Sequence, residues 1–323
     1  MLSSERFVGA VAPRQNGHGA NAFDFIRIAA AFAVLHSHSF ALLGITQPSV
    51  FTFGDTAISA FFVVSGYLVC QSWDRDPDLL HFALRRALRI LPGLFVAVTV
   101  TTFVIGALAT SHTLQDYFAS GLTWTYLVSN LSLICDVDSL PGVFEKNPYA
   151  GAINGSLWSL RYEVLMYVVL ASLGFLAKRW GLRLICGAVF ICFIALWCWG
   201  TVAGYTRYPL PLPLLWRVGL EFDGIRFANL GVFFFSGSLL YLYRAAIPMS
   251  PFSAAALLAV AVASAGTAWS NAVLWIALPY AVIVAAHCLP APFRVFGKAD
   301  YSYGIHIYAF PIQQLLSQAN WTW

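Results

Sequence analysis

Arg27 and His38 stand eleven residues apart in FDFIRIAAAFAVLHSHSF, an apolar stretch over residues 23–40. On an α-helix, at ~100° per residue, that spacing returns them to nearly one face, roughly 16 Å apart along the axis. His36 is nine residues from Arg27 and falls on the opposite face, so the two histidines are not equivalent. Ionisable side chains in an apolar helix normally face a bundle interior or a wet cavity. An imidazole titrates near neutral pH and can take or give a proton there. A snorkelling arginine and a histidine tied by a structural hydrogen bond fit the same spacing.

Further groups of reactive character follow along the chain. In GSLWSLRYEVLMYVVL, residues 155–170, Ser159, Glu163 and Tyr167 recur at i, i+4 and i+8 and share a helix face. A carboxylate one or two turns into an apolar helix needs a partner. Arg161 projects roughly 160° away from Glu163 around that helix, so the partner is expected on another element. In LRRALRILP, residues 84–92, Arg86 and Arg89 project from one face beside Arg85. Such a pair suits either a membrane anchor or a forked grip on phosphate. In FFVVSGYLV, residues 61–69, Ser65 and Gly66 remove bulk, which serves close helix packing or close approach of a ligand. YSYGIHIYAFP, residues 301–311, carries Tyr303 and His306 in an aromatic setting. His306 is the weaker histidine on this reading, because nothing in its own helix is spaced to cooperate with it.

These residues need long apolar helices to hold them. The chain of 323 residues is 59% hydrophobic and only 10% charged, against roughly 25% charged in an ordinary soluble domain. Continuous apolar runs, without the alternation of a barrel strand, predict an all-α, polytopic transmembrane helix bundle of about nine or ten spans. The expected spans are 24–44, 54–73, 88–109, 157–177, 184–203, 227–243, 252–270, 272–289 and 301–319. Residues 119–135 are ambiguous among a short span, a re-entrant segment and an interfacial helix. Residues 1–22 are expected to form a cytoplasmic tail without a signal-peptide core, and 23–323 a single membrane domain.

Charge supports this layout. With nine spans and the N-terminus in the cytoplasm, Arg6, Arg14, Arg75, Arg85, Arg86, Arg89, Lys178, Arg179, Arg183, Arg244, Arg294 and Lys298 fall inside. Only Lys146, Arg207, Arg217 and Arg226 fall outside, as the positive-inside rule requires. Basic residues are otherwise scattered, which argues against a nucleic-acid partner. Six cysteines, at 70, 135, 186, 192, 198 and 288, lie mostly within apolar runs and form no C-x-x-C pair. They read as small core residues and not as a metal site or a disulfide framework.

Taken together and in order, these motifs resemble the acyltransferase-3 family of integral-membrane O-acyltransferases, over about residues 22–318. Arg27 and His38 resemble the family's arginine–ten residues–histidine first helix. FFVVSGYLV resembles its second-helix signature, RALRILP its R-x-x-R motif before proline, and SLWSLRYEVLMY its W-S-L-x-x-E motif. In the last motif Ser302 and Tyr303 are kept, but Ala309 falls where the family often has a histidine. No catalytic role is therefore carried to the last helix. The stand-alone membrane form, without the soluble esterase-like domain of some members, is expected.

The resemblance implies an inner-membrane enzyme that moves an acyl group, most often acetyl, from cytoplasmic acyl-CoA to a hydroxyl of a cell-surface, exported or lipid-linked glycan. It implies a donor substrate and no tightly bound cofactor or metal. His38 would be the general base or acyl relay, with Glu163 orienting or charge-balancing it. Arg27, Arg86 and Arg89 would hold the coenzyme phosphates, and Ser65 and Gly66 would let the thioester approach. Ser159, Tyr167 and Tyr303 are expected to contact substrate. The rival reading is a transporter or flippase using the same buried groups as a proton relay. A non-catalytic acyl-CoA sensor is a third.

Overall fold

A computed structural model describes residues 22–48, 53–134, 137–204, 223–294 and 301–319. The tail expected over 1–22 lies outside these residues except for Ala22, as do Arg6, Arg14, Cys135, Arg207, Arg217 and Lys298.

The described chain is helical. In order, α1 is Phe23–Leu42, α2 Gly54–Arg75, α3 Leu79–Ala109, α4 Leu114–Ala119, α5 Gly121–Ser132 and α6 Trp158–Trp180. Then come α7 Leu182–Val202, α8 Gly224–Leu242, α9 Pro251–Ala263, α10 Ser270–Cys288 and α11 Tyr301–Gln318. Among the described residues, seven of these helices are long and apolar enough to cross a membrane: α1, α2, α3, α6, α7, α8 and α10.

Two expected spans take a different form. The stretch 252–270 yields only the 13 residues of α9, because the chain turns through Ser264–Thr267 with Gly266 at φ +78°. A left-handed backbone favours glycine there, and the flanking Ala and Val run hides this stop from a hydropathy reading. The last helix, α11, has the expected place but falls outside the seven apolar ones. It is rich in glutamine, and those side chains bond inward. Gln313 donates to the Leu35 carbonyl and to Ser39 Oγ, at 3.2 and 2.7 Å, and Gln314 donates to the Tyr149 and Ala152 carbonyls. The ambiguous stretch 119–135 is mostly the 12-residue α5, roughly 18 Å long and too short to cross a ~30 Å core.

At the centre, α2 and α8 are the most buried of the seven. Glycine sets their separation. A Cβ on Gly66 would run into the Phe234 carbonyl, and one on Gly237 into the Val63 carbonyl. Ser238 Oγ donates to the Gly66 carbonyl at 3.1 Å across the same contact. This is the close backbone approach that small residues give membrane helices. Cys70 and Cys186 are buried as expected, whereas Cys192, Cys198 and Cys288 are exposed on the helix surfaces.

The connection over 137–157 leads into α6 and packs into the bundle. Leu140, Val143, Phe144, Ile153 and Leu157 are buried in it. Its grip on α11 is polar. Asn147 Nδ2 donates to the Gln314 carbonyl and side chain, at 2.9 and 2.8 Å, and Asn154 Nδ2 donates to the Ile307 carbonyl at 2.9 Å. Near the start of α3, Arg85 Nη1 donates at 2.6 Å to Oδ2 of Asp76, which lies in the turn between α2 and α3. That bond holds the half-buried Asp76 carboxyl below its ordinary range. Arg85 is thus engaged in the turn, apart from its neighbours Arg86 and Arg89.

Candidate active site

The helices enclose a cavity of about 50 Å³, room for roughly three to five water molecules. Its polar wall is Arg27 from α1, Arg89 from α3, Ser159 and Glu163 from α6, and Ser302, Tyr303 and His306 from α11. Ile58, Phe61, Phe62, Ile90 and Leu160 make the apolar wall. Five residues expected from the sequence therefore meet in one place: Arg27, Arg89, Ser159, Glu163 and Tyr303. Helical phase explains the pairing of Ser159 with Glu163, one turn apart. The remaining convergence comes from packing.

Several wall residues are held by named contacts. Arg27 is buried and lies 3.9 Å from Asp24, one turn earlier. Tyr303 donates its hydroxyl to the Ile90 carbonyl at 2.8 Å, just before Pro92, which interrupts the backbone ladder of α3. Glu163 Oε1 accepts from Ser65 Oγ at 2.8 Å and also from the Tyr167 hydroxyl. Ser65 Oγ and the Tyr167 hydroxyl are themselves 3.1 Å apart. Glu163 thus finds its partners on α2 and one turn along its own helix, and the three groups brace one another. Arg161 turns to the ring of Tyr162, at 5.1 Å.

Ser65 and Tyr167 sit behind Glu163 and do not line the cavity. Arg86 does not line it either. Its guanidinium lies over the rings of Phe82 and Tyr167, at 5.9 and 5.7 Å. The two arginines of the R-x-x-R motif therefore have different surroundings, one on the cavity wall and one on the aromatic support behind it. Gly66 faces α8 and leaves no space for a ligand beside its backbone.

His38 does not line the cavity but lies within electrostatic reach of His306. It packs edge-on to Phe310, at 5.3 Å between ring centres. His36 is exposed and packs on Phe40 and Phe53, so helical phase does separate the two histidines.

The residue that sequence reasoning passed over is His306. Its Nε2 is 3.1 Å from Ser159 Oγ, and the ring of Phe61 lies 5.9 Å away. No signal within α11 marks it, because its partner is 147 residues distant in the chain. The wall as a whole offers two guanidinium groups for an anion, a braced carboxylate, and an imidazole in contact with a hydroxyl. Such a set has the chemistry to grip a negatively charged molecule and to move protons beside it.

Comparison with known proteins places the chain. Residues 20–323 match the family model described as an acyltransferase domain. The chain is 30% identical, over 93% of its length and 86% of the relative's, to the O-acetyl transferase of Shigella phage Sf6. It is 27% identical, over 95% and 86%, to nodulation protein 10 of Rhizobium leguminosarum bv. viciae. Over 48% of its length and 44% of the relative's, it is 31% identical to the exopolysaccharide production protein ExoZ of Rhizobium meliloti (strain 1021). No solved structure matches.

Proposed function

The chain belongs to the acyltransferase-3 family, and from that premise we propose that it is a multi-pass inner-membrane O-acyltransferase with a cytoplasmic N-terminus. The donor is a cytoplasmic acyl-CoA, acetyl-CoA first among them. The acceptor is a hydroxyl of a cell-surface, exported or lipid-linked glycan. The relatives named as an O-acetyl transferase and as an exopolysaccharide production protein support the acetyl group and the polysaccharide class. The transporter and sensor readings have no comparable support.

One observation carries the reading: Arg27 and Arg89 share a wall with Glu163, Ser159 and His306, and His38 is within electrostatic reach of His306. Two guanidinium groups suit coenzyme phosphates, which they grip with forked donors. A volume of about 50 Å³ admits an acyl group and the tip of a thioester arm but not a nucleotide. The phosphates are therefore held at the arginine side of the mouth while the arm reaches inward. Phe61, Phe62 and Ile58 keep water from the thioester. His38 takes the proton of the acceptor hydroxyl as general base, and Phe310 fixes its ring. Glu163, held by Ser65 and Tyr167, sets the charge of the wall and balances the histidines.

The roughly 16 Å between Arg27 and His38 along α1 is more than half of a ~30 Å hydrocarbon core. On this reading the acyl group crosses most of the bilayer while the coenzyme stays on the cytoplasmic side. Sealed vesicles of known orientation test this. Acyl-CoA supplied on the cytoplasmic side should acylate glycan confined to the other side. A requirement for donor and glycan on the same side would remove the through-membrane route, and release of no acyl group from acyl-CoA in any arrangement would remove the donor assignment.

A further inference from the structure

Ser159 and His306 have the geometry of a nucleophile and its base, and they have it on the wall where the donor is proposed to bind. Ser159 Oγ lies 3.1 Å from His306 Nε2, within the reach that general-base activation of a hydroxyl requires. Ser159 is 6% exposed and second in α6. No side chain caps that helix end, so its partial positive charge is available to a developing alkoxide. Among the described residues the hydroxyl has one other acceptor in range, the Ser156 carbonyl at 3.4 Å. The backbone of Ser156 lies beside the imidazole, and among the described residues Nδ1 makes no hydrogen bond. A proton on Nδ1 leaves Nε2 as the acceptor that Ser159 needs.

Volume supplies a second argument. The cavity has room for an acyl group and the tip of its thioester arm, and His38 is not part of its wall. A direct transfer would have to bring the thioester and the acceptor hydroxyl together in that space. A covalent step lets them use it in turn.

We propose that Ser159 carries the acyl group as an ester between donor and acceptor, with His306 as its base; this rests on the acyl-CoA-dependent transfer proposed above. In the first half, His306 Nε2 takes the Ser159 proton while Oγ attacks the thioester carbonyl. The carbon–sulfur bond breaks, the coenzyme leaves as thiolate, and the imidazolium returns the proton to give the free thiol. In the second half, His38 takes the proton of the acceptor hydroxyl, whose oxygen attacks the Ser159 ester. The Ser159 carbon–oxygen bond breaks, and the proton passes through His306 back to Oγ. No oxidant or metal is required, and both histidines end as they began.

The test uses the purified full chain in lipid vesicles with radiolabelled acetyl-CoA. Without acceptor, the wild type should release thiol in a burst and carry one acetyl group on the peptide containing Ser159. Ser159→Ala should lose the label and slow transfer on the order of 10²-fold or more. Ser159→Cys should acquire an acyl group removable by neutral hydroxylamine, which shows that the position is attacked even if the alanine variant folds poorly. Varying both substrates should give parallel double-reciprocal lines. A folded Ser159→Ala protein that still acetylates glycan, or intersecting lines, overturns the covalent step and leaves the enzyme assignment standing. A wild type that transfers nothing from acetyl-CoA overturns both.

Discussion

Asn154 donates its side-chain amide to the Ile307 carbonyl at 2.9 Å, and that carbonyl is the one Pro311 leaves without its helical donor. Proline at position i has no N–H for the carbonyl at i−4, and Pro311 lies inside α11. The connection before α6 thus supplies what the last helix lacks. Asn154 Oδ1 also accepts from the Ser156 backbone at 3.2 Å, which ties the start of α6 to the same residue. Asn154→Ala should cost about 1–3 kcal/mol by leaving a buried carbonyl unpaired. Pro311→Ala restores the helical donor, so the double variant should be less destabilised than the sum of the two singles. Unfolding in detergent checks this, and strict additivity would deny the coupling.

His38→Ala should lower acyl transfer by roughly 10²–10⁴-fold, the range of a lost general base, with membrane insertion unchanged. His36→Ala should keep most of the activity, because His36 is exposed among Phe40 and Phe53. Transfer assays on both purified variants decide it, and equal losses would contradict the assignment.

The R-x-x-R arginines should separate under conservative change. Arg89→Lys keeps the charge and loses the fork, so KM for the donor should rise about 10-fold, which is ~1.4 kcal/mol of binding. Arg86→Lys loses planar contact with the Phe82 and Tyr167 rings, so it should lower thermal stability and kcat more than donor affinity. Titration with donor and a melting curve give the two readouts. Matching donor-affinity losses would restore the picture of a two-arginine clamp.

Gly66→Ala places a methyl group against the Phe234 carbonyl, where backbone and not a flexible side chain must yield. The expected cost is at least the ~1–3 kcal/mol of an overpacked core. It should appear as loss of folded protein in size-exclusion chromatography and not as a change in KM. A well-folded variant with a selectively raised donor KM would instead return Gly66 to the thioester path.

The sequence by itself determined the helical membrane class, most of the helix positions, the separation of His38 from His36, and the shared face of Ser159, Glu163 and Tyr167. Composition and a 3.6-residue period act within one helix, and a linear string records them fully. The motif order also carried the family, because residues kept at fixed spacing on successive helices are visible without knowing how the helices pack. What the string does not record is which face meets which. Only the tertiary structure set Ser65 on Glu163 across 98 residues and His306 on Ser159 across 147. It turned Gly66 toward α8 and divided Arg86 from Arg89. The early end of α9 was hidden for a related reason. Alanine, valine and a turning glycine read as one apolar run until backbone conformation distinguishes them, and hydropathy has no term for that. Contacts between helices are chosen by shape, by close backbone approach and by pairing of buried polar groups, so a histidine with no cooperating neighbour in its own helix could still stand at the centre of the site.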